Sequence, residues 1–405
     1  MSDIKCEKSD IMDNNIIYWV WLQQVLGYGN SRIKNLLSKY KDARSFYELG
    51  FSGWKSSGLL TEKGLTKARS YSIDNIKTIV DKCIKFGQSI ITFNDIEYPE
   101  RLRNISNPPC VLYFKGNLPD IENCLAISIV GTRTANSESI NTSFEFAYEL
   151  SKAGALIISG GAIGIDESAH KGALSSGRKT VCILGNGVDV NYPRENSSLR
   201  YDISRNGVLI SEYPPETPPI SRNFPIRNRI ISGLSLGTLV IQAGKRSGAL
   251  ITANLAMEQN RDVFSIPGNI KNKLYEGTNN LIKIGAKPVT CPMDIIEEYI
   301  GVYADKFNIK ELDIDTESDF SNEDKFSVDI TSKYSYNETK TVKGLSDNAK
   351  KVYNILDYDK KHIDDIMIQT KLQMNIVLQA ITELEINDLI NSYSGRMYSK
   401  KNKLI

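Results

Sequence analysis

Three glycine-rich stretches of this chain each follow a short apolar run. They read Val130-Gly131-Thr132-Arg133-Thr134, Ser159-Gly160-Gly161-Ala162-Ile163-Gly164-Ile165-Asp166, and Gly185-Asn186-Gly187-Val188-Asp189-Val190-Asn191-Tyr192-Pro193. Loops of this kind turn backbone N–H groups toward an anion, above all where a helix begins. Arg133, just past the first glycine, adds a planar positive fork suited to phosphate. A fourth stretch, 221–234, reads SRNFPIRNRIISGL. It sets Arg222, Arg227 and Arg229 around Phe224, with Asn223 and Asn228 between them. Cations with an interleaved aromatic suit a single nucleic-acid strand, whose phosphates meet the charges while a base stacks on the ring. Lys245 and Arg246, inside GKRSG, add two more cations. The structural alternative is that Arg227 and Arg229 pair internally and Phe224 belongs to the core.

A dinucleotide is the first rival anion. Its fingerprint G-x-G-x-x-G is incomplete here, because Ser159 stands where the first glycine belongs. The acidic residue that would hold a ribose is also missing, since Gly185 and Asn186 follow Leu184. The phosphate loop of nucleotide triphosphatases fails too: Lys245 follows Gly244, but no glycine lies five residues earlier and Arg246 replaces the magnesium-binding hydroxyl. Neither NAD nor ATP is supported, and no cofactor is expected. His170 lies four residues after Asp166 on the helix leaving the second loop. Its neighbour Ser168 points elsewhere on a helix. It reads as a histidine at a packed helix–loop contact rather than as part of a catalytic triad.

These loops need elements to hold them. Between 125 and 290 the runs LAISIV, ALIIS, TVCIL, GVLIS, TLVIQ, DVFSI and KPVT alternate with helical stretches. Near-continuous apolar runs argue for parallel strands buried on both faces. Their alternation with helices argues for a doubly wound α/β sheet, assigned to 86–301. Ligands of such sheets bind at the carboxyl ends of the strands, where the glycine loops fall. Residues 1–85 read as a small helical domain. There Leu26-Gly27-Tyr28-Gly29 separates two helices, with Ser31 as a candidate N-cap. Such a turn either offers N–H groups to DNA phosphates, as in helix-hairpin-helix modules, or is a glycine corner. Residues 302–344 read as a flexible linker. Within 305–330 nine Asp and Glu face three Lys, a solvated composition. Residues 345–405 read as three helices and a hairpin turning at Ser394-Gly395, a winged helix.

Composition narrows the class. The 405 residues are 41% hydrophobic and 24% charged, with formal net charge +2. No global basic field announces nucleic acid, but 125–290 hold 18 Lys and Arg against 13 Asp and Glu, a local positive excess. The six cysteines are scattered, which suggests reduced thiols in the cytoplasm rather than a disulfide framework. With two histidines and no Cys/His cluster, a zinc or iron site is not expected. No apolar stretch reaches the ~18 residues of a membrane helix, and the polar N-terminus is no secretory signal.

The motifs together resemble the DNA-processing protein A (Smf) family. The matching text is YPERL (98–102), NPPCVLYFKG (107–116), SIVGTR (128–133), SGGAIGIDESAHKGAL (159–174), LGNGVDVNYP (184–193), FPIRNRIISGLS (224–235), SGALITANLAMEQNRDVFSIPGN (247–269) and GTNNLIKIGA (277–286). The resemblance covers roughly 95–290. It implies an extended Rossmann-type core, an N-terminal sterile-alpha-motif or helix-hairpin-helix module, and a C-terminal winged helix. It also implies a non-enzymatic role: such proteins coat and protect incoming single-stranded DNA during transformation and hand it to the RecA recombinase, typically as dimers through the Rossmann-type domain. By resemblance Arg133, the Gly160–Gly164 loop with Gly161, Lys171, the Gly185–Asn186–Gly187 loop and the 224–229 segment with Phe224, Arg227, Asn228 and Arg229 line the DNA groove, and the residue types read above add Gly131, Ser159, Arg222, Lys245 and Arg246 to the expected DNA site. Gln242 departs from the family, which often carries Glu there.

Two other classes make different demands. The nucleotide phosphoribohydrolases of the lysine-decarboxylase-like group carry P-G-G-x-G-T-x-x-E after a strand. Here 242–250 read QAGKRSGAL, without the Pro or the Glu that would stabilise a ribosyl cation. A regulator of double-stranded DNA would rest on the winged helix, whose 373–384 stretch QMNIVLQAITEL holds no Lys or Arg. That composition disfavours groove reading and favours a protein contact.

Overall fold

The computed structural model describes residues 15–303, 345–357, 361–387, 389–393 and 397–401. Of the expected linker 302–344, Val302 and Tyr303 end the helix Met293–Tyr303 and the rest lies outside the described residues, as does the turn at Ser394-Gly395. The chain divides into two compact units, 1–316 and 317–405.

The first unit opens with six helices: α1 (Ile16–Leu26), α2 (Arg32–Leu37), α3 (Ala43–Tyr47), α4 (Gly50–Ser56), α5 (Glu62–Ser70) and α6 (Ile73–Lys85). α1 buries Trp19, Trp21, Leu22 and Val25, nearly its whole circumference, as a helix apolar all round must. The others are amphipathic and ring it. Thr61 caps α5, and Ser72 with Asn75 forms a reciprocal capping box on α6. The sequence points to Ser31 as the cap of α2, but Asn30 does that work: its Oδ1 accepts from the Arg32 N–H at 2.8 Å, while its Nδ2 donates to Leu26 O at 2.8 Å.

β1 (Ser89–Thr92), α7 (Glu100–Arg103) and β2 (Val111–Gly116) follow. Then come β3 (Ala126–Val130), α8 (Ser137–Lys152), β4 (Leu156–Ser159), α9 (Ile165–Ser175), β5 (Thr180–Leu184), α10 (Ser197–Asn206) and β6 (Val208–Ser211). α11 (Asn223–Leu234), β7 (Gly237–Val240), α12 (Ala249–Glu258), β8 (Asp262–Ser265), α13 (Glu276–Lys283), β9 (Lys287–Pro288) and α14 (Met293–Tyr303) complete the unit. The sheet order is β1-β2-β6-β5-β4-β3-β7-β8-β9. From β6 to β9 every pairing is parallel, and β3, β4 and β5 are buried at every residue. That burial is why their sequences read as near-continuous apolar runs. β1 and β2 extend the sheet antiparallel on one edge.

The chain runs from β3 outward to β6, then returns to the other side of β3 as β7. The switch point therefore lies between β3 and β7, where a crevice opens beyond the strand ends. The helices at 16–85 do not stand apart. One core cluster runs from Trp19 through Val111 and Ile183 to Ala286. A buried polar node ties them down: Gln23 Nε2 donates to Glu212 Oε1 at 2.9 Å, and Gln23 Oε1 accepts from the N–H groups of Cys110 and Val111 at 2.8 and 3.1 Å. Arg229 Nη2 reaches the same Glu212 oxygen at 2.7 Å.

The second unit has α15 (Asp347–Ile355), β10 (Lys361–His362), α16 (Ile363–Thr370), α17 (Met374–Ile386), β11 (Ile390–Tyr393) and β12 (Met397–Lys400). Its strands order as β10-β12-β11. Val352, Ile366, Ile381 and Leu384 centre its core. This is the expected winged helix, with one short strand more than the sequence suggested.

His170 is fully buried on α9, its Nδ1 2.8 Å from Thr180 Oγ1 on β5. Burial, with a smaller push from Arg227, lowers its pKa to about 3. The folded chain thus keeps the ring neutral, while the unfolded chain takes up a proton below about pH 6.5. Stability from this site is complete above that pH and is lost as pH falls from there toward 3. Between about pH 7 and pH 5 the unfolding free energy of the parent should drop by about 2 kcal/mol more than that of His170→Gln. Equal pH slopes in urea titrations would contradict this.

Candidate nucleic-acid interface

The crevice is walled by the loops after β3, β4 and β5, by α11 and by the head of α12. Two adjoining hollows lie in it. The smaller, about 60 Å³, is framed by Gly160, Leu184, Gly185, Tyr192 and Phe224. The larger, about 440 Å³, runs from Gly131 and Arg133 past Phe224 and Asn228 to Ser247 and Ile251. Arg133 and Arg227 border both.

Phe224 is the centre of the arrangement. It is partly exposed on the first turn of α11. The guanidinium carbons of Arg133 and Arg227 stand 5.4 and 5.9 Å from its ring centroid, within cation–π range. The Tyr192 ring is 5.7 Å away and tilted by 41°. Gly185 makes the seat, since a Cβ there would lie 2.8 Å from Phe224 Cδ1. Asn223 Nδ2 donates to Gly185 O at 3.1 Å and fixes α11 to the same loop. Arg133 itself is exposed.

The glycines of the second loop have a different purpose from the one the sequence suggests. The carboxyl of Asp166, the second residue of α9, packs against Gly160, whose Cβ, if it had one, would lie 2.7 Å from Oδ2. Burial pushes the pKa of that carboxyl up, against the pull of Arg227, the loop N–H groups and Arg133. The loop therefore closes on a carboxyl of its own chain. A Cβ at Gly160 would lie 2.7 Å from both Arg227 Nη2 and Asp166 Oδ2, and one at Gly164, where φ is +87°, would lie 2.7 Å from Thr132 O. These residues are glycine because the two loops and Arg227 pack directly on their backbone.

Several expected contact residues face inward. Ser159 is fully buried and its hydroxyl donates to Ile129 O at 2.6 Å. Arg227 is buried; its Nη1 donates to Gly160 O at 2.7 Å and to Ile183 O, so it braces the strand ends while its face supports Phe224. Arg229 is 2% exposed. Besides Glu212 it serves Asn107 O at 2.9 Å and Ile226 O at 3.1 Å. For Arg229 the internal pairing weighed above is the arrangement found. Asn186, also buried, holds the third loop through Gly187 O and Val190 O, both at 2.9 Å. Four cations are exposed but off the hollows. Lys171 pairs with Glu167 at 2.6 Å and Lys245 with Glu276 at 3.7 Å. Arg222 and Arg246 flank the crevice at the heads of α11 and α12. Gln242 is buried and donates to Asn136 Oδ1 at 3.2 Å, steadying the cap of α8.

Tyr192, Asp166, Ser221 and Ile251 border the crevice without having been singled out as contacts. Tyr192 had a readable signal, an aromatic at the end of a glycine loop. Asp166 had one as well, an acid in the first turn of a helix after glycines.

A protein-family model described as DNA recombination-mediator protein A matches residues 89–300, more than half of the chain. The chain belongs to that family. A DprA winged helix domain matches 337–396. The DNA processing protein DprA of Streptococcus pneumoniae is 42% identical over 202 residues, which are 50% of this chain and 71% of that protein. Protein Smf of Synechocystis is 30% identical over 402 residues, 95% of this chain and 98% of its own. The X-ray structure of DNA processing protein A from Streptococcus pneumoniae superposes with TM-score 0.62 at 32% identity, covering 70% of this chain and 97% of that one. Membership of the recombination-mediator family places the chain among DNA-processing proteins of recombination. Among the described residues no helix is long and apolar enough to cross a membrane.

The two arginines should separate on substitution. Arg229→Ala leaves Glu212 as a buried unpaired charge and should cost about 3–5 kcal/mol of folding stability. Arg133→Ala, at an exposed position, should change it by less than about 0.5 kcal/mol. Urea denaturation of both variants checks this, and equal losses would contradict the assignment.

Proposed function

We propose that this chain binds single-stranded DNA in the crevice beyond β3, β4 and β5, with little sequence preference, and passes it to a RecA-type recombinase without turnover of its own. The observation that carries this reading is the half-exposed Phe224 ring, held between Arg133 and Tyr192 at the junction of the two hollows. Every base has a π face, so stacking on a ring is sequence-tolerant, and it contributes about 1–3 kcal/mol per base. Exposed cations on both sides, Arg133, Arg194, Arg222 and Arg246, suit the phosphates. No base-reading helix enters the crevice, and α17 of the winged helix carries Glu383 and Glu385 but no Lys or Arg, which suits a protein contact better than a DNA groove.

A dimer through the Rossmann-type core would set two crevices on one particle, and linked sites raise effective concentration without new contacts. DNA held along its backbone keeps part of each base accessible, so a recombinase docked nearby could nucleate on the same strand. The phosphoribohydrolase alternative lacks a carboxylate after β7, and the Gln242 side chain is already engaged with Asn136. Asp166, an acid at the crevice, is buried and packed against Gly160 of its own loop.

Single strands should bind more tightly than duplexes of equal length, with a log–log salt slope near −0.7 per neutralised phosphate. Phe224→Ala should weaken single-strand binding about 5- to 150-fold, the equivalent of one lost stack. A chain ending at Gly301 should keep most of the affinity, and the full chain should speed recombinase filament formation on single strands coated with single-strand-binding protein. Equal affinity for both DNA forms at every salt, or release of ribose 5-phosphate from nucleoside monophosphates, would overturn the reading.

A further inference from the structure

The crevice does not end at the Rossmann-type core. Its rim at Pro219 and Ser221 leads to Arg222, exposed at the head of α11. There the N-terminal helices meet α11 through the Gly27-Tyr28-Gly29 turn. A Cβ at Gly29 would lie 2.9 Å from Ile226 Cγ2, one helical turn along from Arg222. The Tyr28 ring centroid is 4.5 Å from that of Tyr213, whose hydroxyl donates to Asn223 O at 3.2 Å. The turn is thus a packing corner seated on α11, and the Gly27 N–H donates to Gln23 O at 2.9 Å.

Beside that corner lies α5. Lys67 Nζ donates to Gln24 O at 3.0 Å and lies 3.9 Å from where a Cβ of Gly27 would be. Lys63 is exposed one turn earlier on the same side of α5. Glu62 precedes it but projects from another side of the helix. Arg69 is turned away, its guanidinium 3.5 Å over the Phe51 ring. Lys67 is half-buried, and its ammonium pKa falls below the usual lysine range, first through burial and then through repulsion by Lys63 and Arg222. The charges of Lys63 on α5 and of Arg222 on α11 both bear on Lys67, beside the corner where Gly27 approaches its ammonium and Gly29 meets α11.

We propose that Lys63, Lys67 and Arg222 form a second phosphate-binding stretch that takes the single strand leaving the crevice across the N-terminal helices. This rests on the single-strand reading above and lengthens its footprint. The ligand must be a polyanion continuous with what the crevice holds, because the cations continue its rim and are distributed over two helices. A nucleic-acid backbone tracked by a positive path meets both demands.

The test is fluorescence anisotropy of the full chain with oligothymidylates of about 5 and about 20 nucleotides across a salt series. Lys63→Gln should flatten the long-strand salt slope by about 0.7, and Lys63→Gln with Lys67→Gln by about 1.4. The double variant should lose about 10-fold or more in long-strand affinity at about 0.1 M salt, while short-strand affinity stays within about twofold. Lys63 is exposed, so the single variant decides the matter if melting shows that the double has lost its fold. Unchanged long-strand slopes overturn the proposal, and Arg133→Ala still weakening both lengths would leave the crevice reading standing. If the parent chain binds neither length, the crevice reading fails and this one with it. If Lys63→Gln weakens polyglutamate binding but not long-strand binding, the surface docks a protein and the proposal is wrong.

Discussion

The buried contact between Arg229 and Glu212 holds the rest of this structure in place. Both side chains are 2% exposed, and they meet at 2.7 Å. Glu212 follows β6, Arg229 lies in the middle of α11, and Gln23 of α1 shares the same carboxylate oxygen. Three parts of the chain that are distant in sequence converge on one charge. The second oxygen, Oε2, is buried with no hydrogen-bond partner, so Arg229 is the main balance to that charge. A charge buried this way destabilises strongly when its partner is removed, which locks α11 in one place. Its first turn then presents Phe224 to the crevice, and its next turn carries Arg227 under the strand ends.

The crevice is accordingly a surface braced from within. The Asp166 carboxyl packs on Gly160 of the second loop, and Arg227 binds the carbonyl groups of Gly160 and Ile183. A small nucleotide would have to displace that carboxylate to use the loop as a phosphate cradle. A polymer held from outside, by stacking and by cations along the rim, needs no such displacement. This separates the crevice from dinucleotide-binding sheets of the same class, in which the loop amides meet the ligand's pyrophosphate.

The parallel strands were legible in the sequence because burial on both faces leaves only small, internally hydrogen-bonded polar residues such as Ser128 and Thr238 among apolar ones. TVCIL and LAISIV correspond to β5 and β3 within a residue. β1 and β2 were not legible. They are an antiparallel edge pair, SIIT and VLYFKG, half-buried at their outer ends and separated by a stretch containing Pro99, Pro108 and Pro109. At the site, residue types pointed to the right surface but not to the direction of each side chain. Arg222, Arg227 and Arg229 sit within eight residues, yet one is exposed and two are buried. Local sequence carries no trace of Glu212 or of the Gly160 and Ile183 carbonyls that draw two of them inward. The Gly27-Tyr28-Gly29 turn was readable as a corner, but its seat on Ile226 is about 200 residues away in sequence, and only the tertiary fold reveals it.

The proposed site lays a single strand against the Phe224 ring, beyond the carboxyl ends of the parallel strands. Ultraviolet cross-linking of oligothymidylate to the full chain, followed by peptide mapping, tests it most directly. A base stacked in the crevice should give adducts at Phe224 or Tyr192 and lose them on Phe224→Ala. Adducts confined to 363–393 of the winged helix, with none in 131–133, 185–193 or 219–228, would contradict it.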